Sequence, residues 1–404
     1  MDINKAKNTV IKAGIKLLES GLTARTWGNV SCRVDAESFV ITPSGRSYLS
    51  LTAAELVLVK INDLSFQGEI KPSSEKGIHA EVYKLHPEVN LVIHTHQDNA
   101  SVIAATGLKE IQVGSEYPTL GGTVLCADYA LPGTEALRKK VRQALKNSTG
   151  KAVIMKHHGA LCFGVTAEEA FTVASELEEA CGDFVINRYL KLSGERKYDP
   201  YAISAFALGQ NRETLLSMVT PERRTYGAGL RKKNGFIWFD GEREVEIPDE
   251  QSLDGRSEEI GLYRTIYQKN QWIKAIIFKA TPEILSLSAV GLSLKPLLDD
   301  FAQIIGLQVR TVEQGDPDRI ARALGKSAAV LIKNTGALCC GSSEDDARAV
   351  GMILHKTAKA LIGASLFGRV KPINPLESML MRYVYLKKYA KQALATGAGG
   401  RSIQ

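Results

Sequence analysis

Two histidines one residue apart, His94 and His96, close an apolar run that begins at Leu91. In an extended strand, side chains at i and i+2 share a face, so the two imidazoles converge on one point. Such convergence suits a metal. Imidazole is the commonest protein ligand for zinc and its neighbours, and a catalytic metal commonly takes three protein ligands and keeps one position open. A second apolar run, residues 152–155, leads into His157 and His158, so two more histidines end a second buried strand.

The elements that must position these residues are legible from spacing. Apolar residues at helical intervals over residues 4–22, closed by Gly21, predict an amphipathic helix with a glycine cap. Two short strands are expected over 26–33 and 38–45, and a further hairpin over 56–61 and 64–68. Ser73-Ser74-Glu75 reads as a helix start, with the helix carried on by Ile78 to Leu85. Helices follow at about 99–105, 135–145 and 168–190, and residues 193–200 have the composition of a linker.

Past that linker the pattern begins again. Arg25-Thr26-Trp27-Gly28 returns as Arg224-Thr225-Tyr226-Gly227, and the strand before His94 returns as Ala275-Ile276-Ile277-Phe278. The third echo sets residues 153–162 against 330–339. Two copies of one domain therefore stand in tandem, expected at 1–195 and 200–370, with a basic helical tail at 371–404. Phe278 replaces His94, Ala280 replaces His96, Thr335 replaces His158 and Ala228 replaces Asn29. The apolar scaffold persists while the polar chemistry disappears. A deletion between the first and second echoes removes any counterpart of Thr42-Pro43-Ser44-Gly45, and Glu259, the counterpart of Glu75, reads as a helix-start carboxylate.

Composition narrows the class. A chain of 404 residues, 44% hydrophobic and 24% charged, has the make-up of an ordinary globular protein of two or three domains. No apolar run approaches the ~20 residues of a membrane helix, and the N-terminus lacks a signal-peptide core, so a cytoplasmic location is expected. Six cysteines without Cys-x-x-Cys spacing read as reduced, buried thiols. The net charge of +7 suits an anionic small molecule and equally a solvated surface without function, while no basic cluster interleaved with aromatics points to nucleic acid.

Six motifs in order, Gly28-Asn29-Val30-Ser31, Thr42-Pro43-Ser44-Gly45, Pro72-Ser73-Ser74-Glu75, His94-Thr95-His96, Tyr129-Ala130-Leu131-Pro132-Gly133-Thr134 and His158-Gly159, resemble the class II aldolase/adducin family of the zinc-dependent fuculose-phosphate aldolase type. The resemblance implies an α/β fold: a three-layer α/β/α domain around a mostly antiparallel sheet, present twice. It implies Zn2+ or another divalent metal on His94, His96 and His158, with Glu75 as fourth ligand at rest and base during turnover. It places a sugar phosphate's phosphate at Asn29, Ser44, Gly45, Ser73 and Ser74. An aldolase cleaving or forming a carbon–carbon bond is the activity implied. Relatives of the same type are epimerases, dehydratases or decarboxylases of sugar phosphates, or non-enzymatic adducin-like scaffolds; Glu75 favours aldolase or dehydratase. Where the aldolases carry a tyrosine before the double glycine this chain has Ser115, and Tyr117 is the candidate substitute. The family's four-fold rings imply a homo-oligomer, here a dimer forming a pseudo-tetramer. His157, beside His158 on a strand, would point the other way and reads as structural. His79, His86 and His355 fall in helical patterns away from the motifs and read as surface or core-edge residues.

Overall fold

The computed structural model describes residues 1–23, 27–219, 226–239, 241–249 and 258–395. Arg25-Thr26 and Arg224-Thr225 of the first echo, and the last nine residues of the tail, lie outside them. The chain divides into two compact units, Met1–Arg188 with Phe367–Lys371 and the chain from Leu386, and Tyr189–Leu366 with Pro372–Tyr385.

In the first unit, α1 (Ile3–Glu19) starts where the Asp2 carboxylate accepts from the amides of Asn4 and Lys5. It buries Ala6, Val10, Ala13 and Leu17, one stripe at helical spacing, and ends just before Gly21. Then come β1 (Asn29–Arg33), β2 (Ser38–Ile41), β3 (Val57–Lys60), α2 (Lys76–Leu85), β4 (Leu91–Thr95), α3 (Asp98–Thr106), β5 (Glu110–Gln112), β6 (Thr123–Ala127), α4 (Glu135–Asn147), β7 (Ala152–Met155), β8 (Ala160–Gly164) and α5 (Ala167–Ser193). The strands form one sheet in the order β3-β2-β1-β4-β8-β7-β6-β5, antiparallel except for the β6–β7 pair. One sheet face packs on α2 and α4 through Ile78, Val82, Leu137, Val141, Val92 and Leu161. β4, which carries the histidine pair, is flanked by β1 and β8 in mid-sheet. The hairpin expected over 56–68 is half right: after β3, Leu64 takes a left-handed backbone, and the second arm shrinks to one bridge between Val59 and Phe66.

The second unit contains α6 (Pro200–Ala207), α7 (Arg212–Val219), β9 (Ala228–Lys232), β10 (Gly235–Phe239), β11 (Glu244–Pro248), α8 (Glu258–Lys269), β12 (Ala275–Lys279), α9 (Pro282–Ala289), β13 (Thr311–Val312), α10 (Pro317–Leu324), β14 (Ala329–Ile332), β15 (Gly336–Gly341), α11 (Glu344–Ser365) and the part of α12 (Pro375–Ala395) up to Tyr385. Its strand order, β11-β10-β9-β12-β15-β14-β13, repeats the first sheet without β5. The tandem α/β reading thus holds.

Sheet register corrects the alignment of the two copies by one residue. Cys32 pairs with Leu91, and Leu230 pairs with Ala275, the counterpart of Leu91. Leu230 therefore stands for Cys32, Gly229 for Ser31 and Gly227, not Ala228, for Asn29. Arg33 and Arg231 confirm this, each lying over a tyrosine ring, Tyr83 and Tyr267 respectively. The echo Trp27-Gly28 with Tyr226-Gly227 misled because a one-residue slip is invisible in composition yet exchanges sheet faces. In the connection after β2 the first copy has residues 42–56, whereas after β10 the second has only 240–243, so nothing in the second copy matches Pro43-Ser44-Gly45.

Among the described residues no helix is long and apolar enough to cross a membrane. All six cysteines are buried and unbridged.

Candidate metal centre

His94 lies on β4, His96 one residue beyond its end, His158 in the turn between β7 and β8, and Glu75 at the N-cap position of α2, where its side chain makes no capping bond. Two glycines let the chain close around His94. A side chain at Gly28, whose φ is +88°, would put its Cβ 2.4 Å from the His94 carbonyl; one at Gly159 would meet Thr95 O at 2.2 Å and the His94 ring at 3.0 Å.

The four groups converge. His94 Nε2 lies 3.0 Å from His96 Nε2 and 2.9 Å from His158 Nε2. Glu75 reaches both sides of the cluster, with Oε2 3.2 Å from His94 Nε2 and Oε1 2.9 Å from His158 Nε2. Among the described residues these three histidines are the one group of possible metal ligands gathered this closely, all buried. His94 donates its Nδ1–H to Ala160 O at 2.9 Å, so its Nε2 presents a lone pair to the cluster. With His94 Nε2 about 3 Å from each of the other two imidazole nitrogens, and all three within 4.8 Å of one another, the set can surround a cation ~2.0–2.1 Å from each, so it suits zinc or a similar divalent ion. Burial holds His94 well below the usual histidine range. Burial also pushes the Glu75 carboxyl up, but the facing imidazoles outweigh it and keep Glu75 well below the usual carboxylate range.

His157 and His158 do not continue the strand. They form the tight turn from β7 to β8, closed by Met155 N to Gly159 O at 2.7 Å and His158 N to Met155 O at 3.1 Å. His157 takes φ +60°, and its counterpart Asn334 takes φ +59°, so this position is kept for a residue that tolerates the left-handed region. On the expected strand His157 would point away from His158; it lies in the turn instead, and its ring packs edge-on against Tyr129.

The residues expected at a phosphate lie on two loops that bond to each other. Ser73 N donates to Thr42 O at 3.0 Å, Ser44 N to Lys71 O at 3.2 Å and Ser44 Oγ to Pro72 O at 3.0 Å. Gly45 turns with φ +71°, Ser74 is exposed, and Ser73 Oγ accepts from Glu75 N at 3.2 Å. Asn29 stands apart from those loops' bonding, its Nδ2 donating to Glu75 Oε2 at 3.0 Å. Tyr117 is not among the groups bonded at the cluster: its hydroxyl donates to Asp183 on α5 at 2.7 Å, and that bond pushes the phenol above the usual tyrosine range.

Sequence reasoning missed one residue. His79, read as peripheral, is fully buried and bonded to Asn29 and Ser31. Burial pushes it down to about 3, so it is neutral. The signal was present: Glu75, His79 and Tyr83 recur every fourth residue and share one face of α2. His86 and His355 are partly exposed, as expected.

Among the described residues, the second copy lacks the constellation. Phe278 fills the place of His94 beside Gly336, whose missing side chain would lie 2.8 Å from that ring. Glu259 lies in the first turn of α8, as expected of a helix-start carboxylate, and also accepts from the Trp238 indole at 3.0 Å and from Gly227 N.

Two segments of the chain, residues 8–184 and 213–362, match the family model described as Class II Aldolase and Adducin N-terminal domain. The chain is 31% identical over 179 residues to 5-deoxy-D-ribulose 1-phosphate aldolase of Bacillus thuringiensis serovar kurstaki, covering 44% of this chain and 83% of that protein. It is 32% identical over 179 residues to L-fuculose phosphate aldolase of Escherichia coli K12, covering 44% and 81%. A solved L-fuculose 1-phosphate aldolase matches at 29% identity and a TM-score of 0.43, over 48% of this chain and 90% of its own.

Proposed function

Since the chain belongs to the class II aldolase and adducin family, matched in both halves, we propose that its N-terminal unit is a metal-dependent aldehyde-lyase acting on a ketose phosphate. The C-terminal unit is a non-catalytic copy. The observation that carries this reading is the contrast between copies: His94 Nε2 lies 2.9 to 3.2 Å from His96, His158 and Glu75, whereas Phe278, Ala280 and Thr335 occupy the histidine positions in a sheet of the same order. Folding needs the scaffold; it does not need the histidines. The relatives named as aldolases of 5-deoxy-D-ribulose 1-phosphate and L-fuculose phosphate support the substrate class.

His94, His96 and His158 would hold a divalent metal through their Nε2 atoms, and it would supply Lewis-acid stabilisation of the enediolate charge that carbon–carbon cleavage of the ketose leaves. Glu75 is the base. It takes the hydroxyl proton whose loss releases the aldehyde, and its carboxyl then returns a proton to the carbon of the enediolate. Asn29 and Ser73 hold Glu75 from two sides, through Oε2 and through its backbone amide. Ser44, Gly45, Ser73 and Ser74, with Asn29, receive the phosphate, at turns and at a helix start where amides favour an anion. Tyr117 would have to release Asp183 before carrying a proton, so both proton steps go to Glu75.

The test is a panel of ketose 1-phosphates incubated with the full chain loaded with zinc, cobalt or manganese, read by release of dihydroxyacetone phosphate. Metal-dependent cleavage of at least one member, lost in Glu75→Gln, supports the reading. A protein that binds the metal yet cleaves no member overturns it.

A further inference from the structure

Four side chains and Glu75 form one buried chain of hydrogen bonds beneath the cluster. Tyr83 Oη lies 2.8 Å from Ser31 Oγ, and Ser31 Oγ lies 2.6 Å from His79 Nδ1. His79 Nε2 bonds to Asn29 Oδ1, and Asn29 Nδ2 donates to Glu75 Oε2 at 3.0 Å. Asn29 is 5% exposed, Tyr83 2%, and Ser31 and His79 are fully buried. With a neutral imidazole at His79, only one polarity satisfies every member. A carboxylate accepts, so the Asn29 amide must present its NH2 to Glu75 and its oxygen to His79. His79 must then carry its proton on Nε2 and accept at Nδ1 from the Ser31 hydroxyl, which in turn accepts from Tyr83. Reversing the Asn29 amide would set two oxygens against each other.

We infer that His79 is a positioning residue: as the Nε2–H tautomer it fixes which way the Asn29 amide faces, and through Asn29 it holds the Glu75 carboxylate toward the histidine cluster. The assignment of Glu75 as base and ligand underlies this.

The second copy is an internal control. It keeps the neighbours that serve the fold: Phe236 stands for Phe39, Tyr267 for Tyr83 and Arg231 for Arg33, with the aromatic pair at 5.3 Å against 5.1 Å in the first copy. It loses Asn29 to Gly227, Ser31 to Gly229 and His79 to Tyr263. Tyr263 donates instead to the Gly227 carbonyl at 2.6 Å, and a side chain at Gly229 would meet the Tyr263 ring at 2.8 Å. The three polar residues are thus lost together with His94, His96 and His158, while the surrounding core survives. A merely structural histidine would have no reason to follow the metal ligands.

The experiment compares His79→Leu, His79→Gln, Asn29→Ala and the double variant His79→Leu/Asn29→Ala in the full chain, scoring folding by circular dichroism, zinc affinity by competition with a chromogenic chelator, and kcat and KM on the best ketose phosphate. A glutamine amide can still donate at the position of Nε2. Expected are a fall of about 10- to 100-fold in zinc affinity for His79→Leu, a matching loss carried by kcat rather than KM, recovery of most of both in His79→Gln, and a double variant no worse than Asn29→Ala. Ring 15N shifts of wild-type His79 should report the Nε2–H tautomer at neutral pH. The inference is overturned if a folded His79→Leu protein keeps wild-type zinc affinity, if His79→Gln is no better, if the two single losses multiply, or if the proton sits on Nδ1. Should wild type cleave no ketose phosphate, the proposed activity fails, while the affinity and NMR readouts still decide the role of His79.

Discussion

His94 gives its Nδ1–H to the carbonyl of Ala160, the residue that opens the neighbouring strand β8, at 2.9 Å. Because that bond runs along the ladder between β4 and β8, the imidazole's tautomer is set by the sheet itself, and Nε2 is left as an electron-pair donor.

The first prediction concerns stoichiometry. One divalent ion per chain is expected by elemental analysis, since the second copy has Phe278, Ala280 and Thr335 at the ligand positions. His94→Phe should remove the ion without unfolding the chain, because Phe278 already occupies that place beside a glycine. Saturating zinc should raise the melting temperature of wild type; at a hundred times Kd the linkage is worth about 2.7 kcal/mol. Two ions per chain, or an unchanged zinc-induced shift in His94→Phe, would contradict the assignment.

Glu75→Gln is the second. The amide keeps the shape of the side chain and loses its proton acceptor, so turnover should fall by roughly 10²- to 10⁴-fold, the usual worth of a general base. Three histidine ligands remain, so bound metal should persist at reduced affinity. Steady-state kinetics beside metal analysis separate the two effects; a loss of turnover explained wholly by loss of metal would mean that Glu75 is only a ligand.

Much of this site was legible in the sequence because its parts are local. His94 and His96 share a strand, Ser73 to Glu75 open a helix, and the paired copies showed which residues the scaffold can lose. The rest depends on contacts between elements. Nothing in the chain near His79 announces that β1 brings Asn29 and Ser31 against it, since residues 29 and 79 meet only when α2 packs on the sheet. Sheet register was likewise hidden: Gly227 replaces Asn29 only because Leu230 pairs with Ala275. The β7–β8 turn was read as strand because His157 and His158 follow an apolar run, and the left-handed backbone at His157 has no sequence signature as strong as a glycine.

A third prediction follows from the protonation of His79. Its folded value is pushed down to about 3, against ~6.5 for an unfolded histidine. Between those limits the unfolded state binds the extra proton, so His79 lowers stability as pH falls from about 6.5 toward 3, by up to about 1.4 kcal/mol per unit. In metal-stripped protein, the stability advantage of wild type over His79→Gln should therefore shrink between pH 7 and pH 5, measured by urea unfolding at several pH values. An advantage that is constant or grows toward acid would show that His79 is not held neutral.

The last prediction tests how the second copy closed the space where the first keeps its polar chain. Gly229 stands for Ser31, and a Cβ there would lie 2.7 Å from the Tyr267 hydroxyl and 2.8 Å from the Tyr263 ring, both on buried side chains of α8. Gly229→Ser should destabilise the second unit by about 1–3 kcal/mol, the cost of forcing atoms into a filled core. Adding Tyr263→His should recover part of that loss, because the smaller ring vacates space and offers Nδ1 to the new hydroxyl, as His79 does to Ser31. Urea unfolding of the single and double variants, followed by Trp238 fluorescence in the second unit, reads both effects. If Gly229→Ser were neutral, or if Tyr263→His only added to its cost, the glycine would not be what admits the tyrosine, and the exchange of His79 for Tyr263 would need another cause.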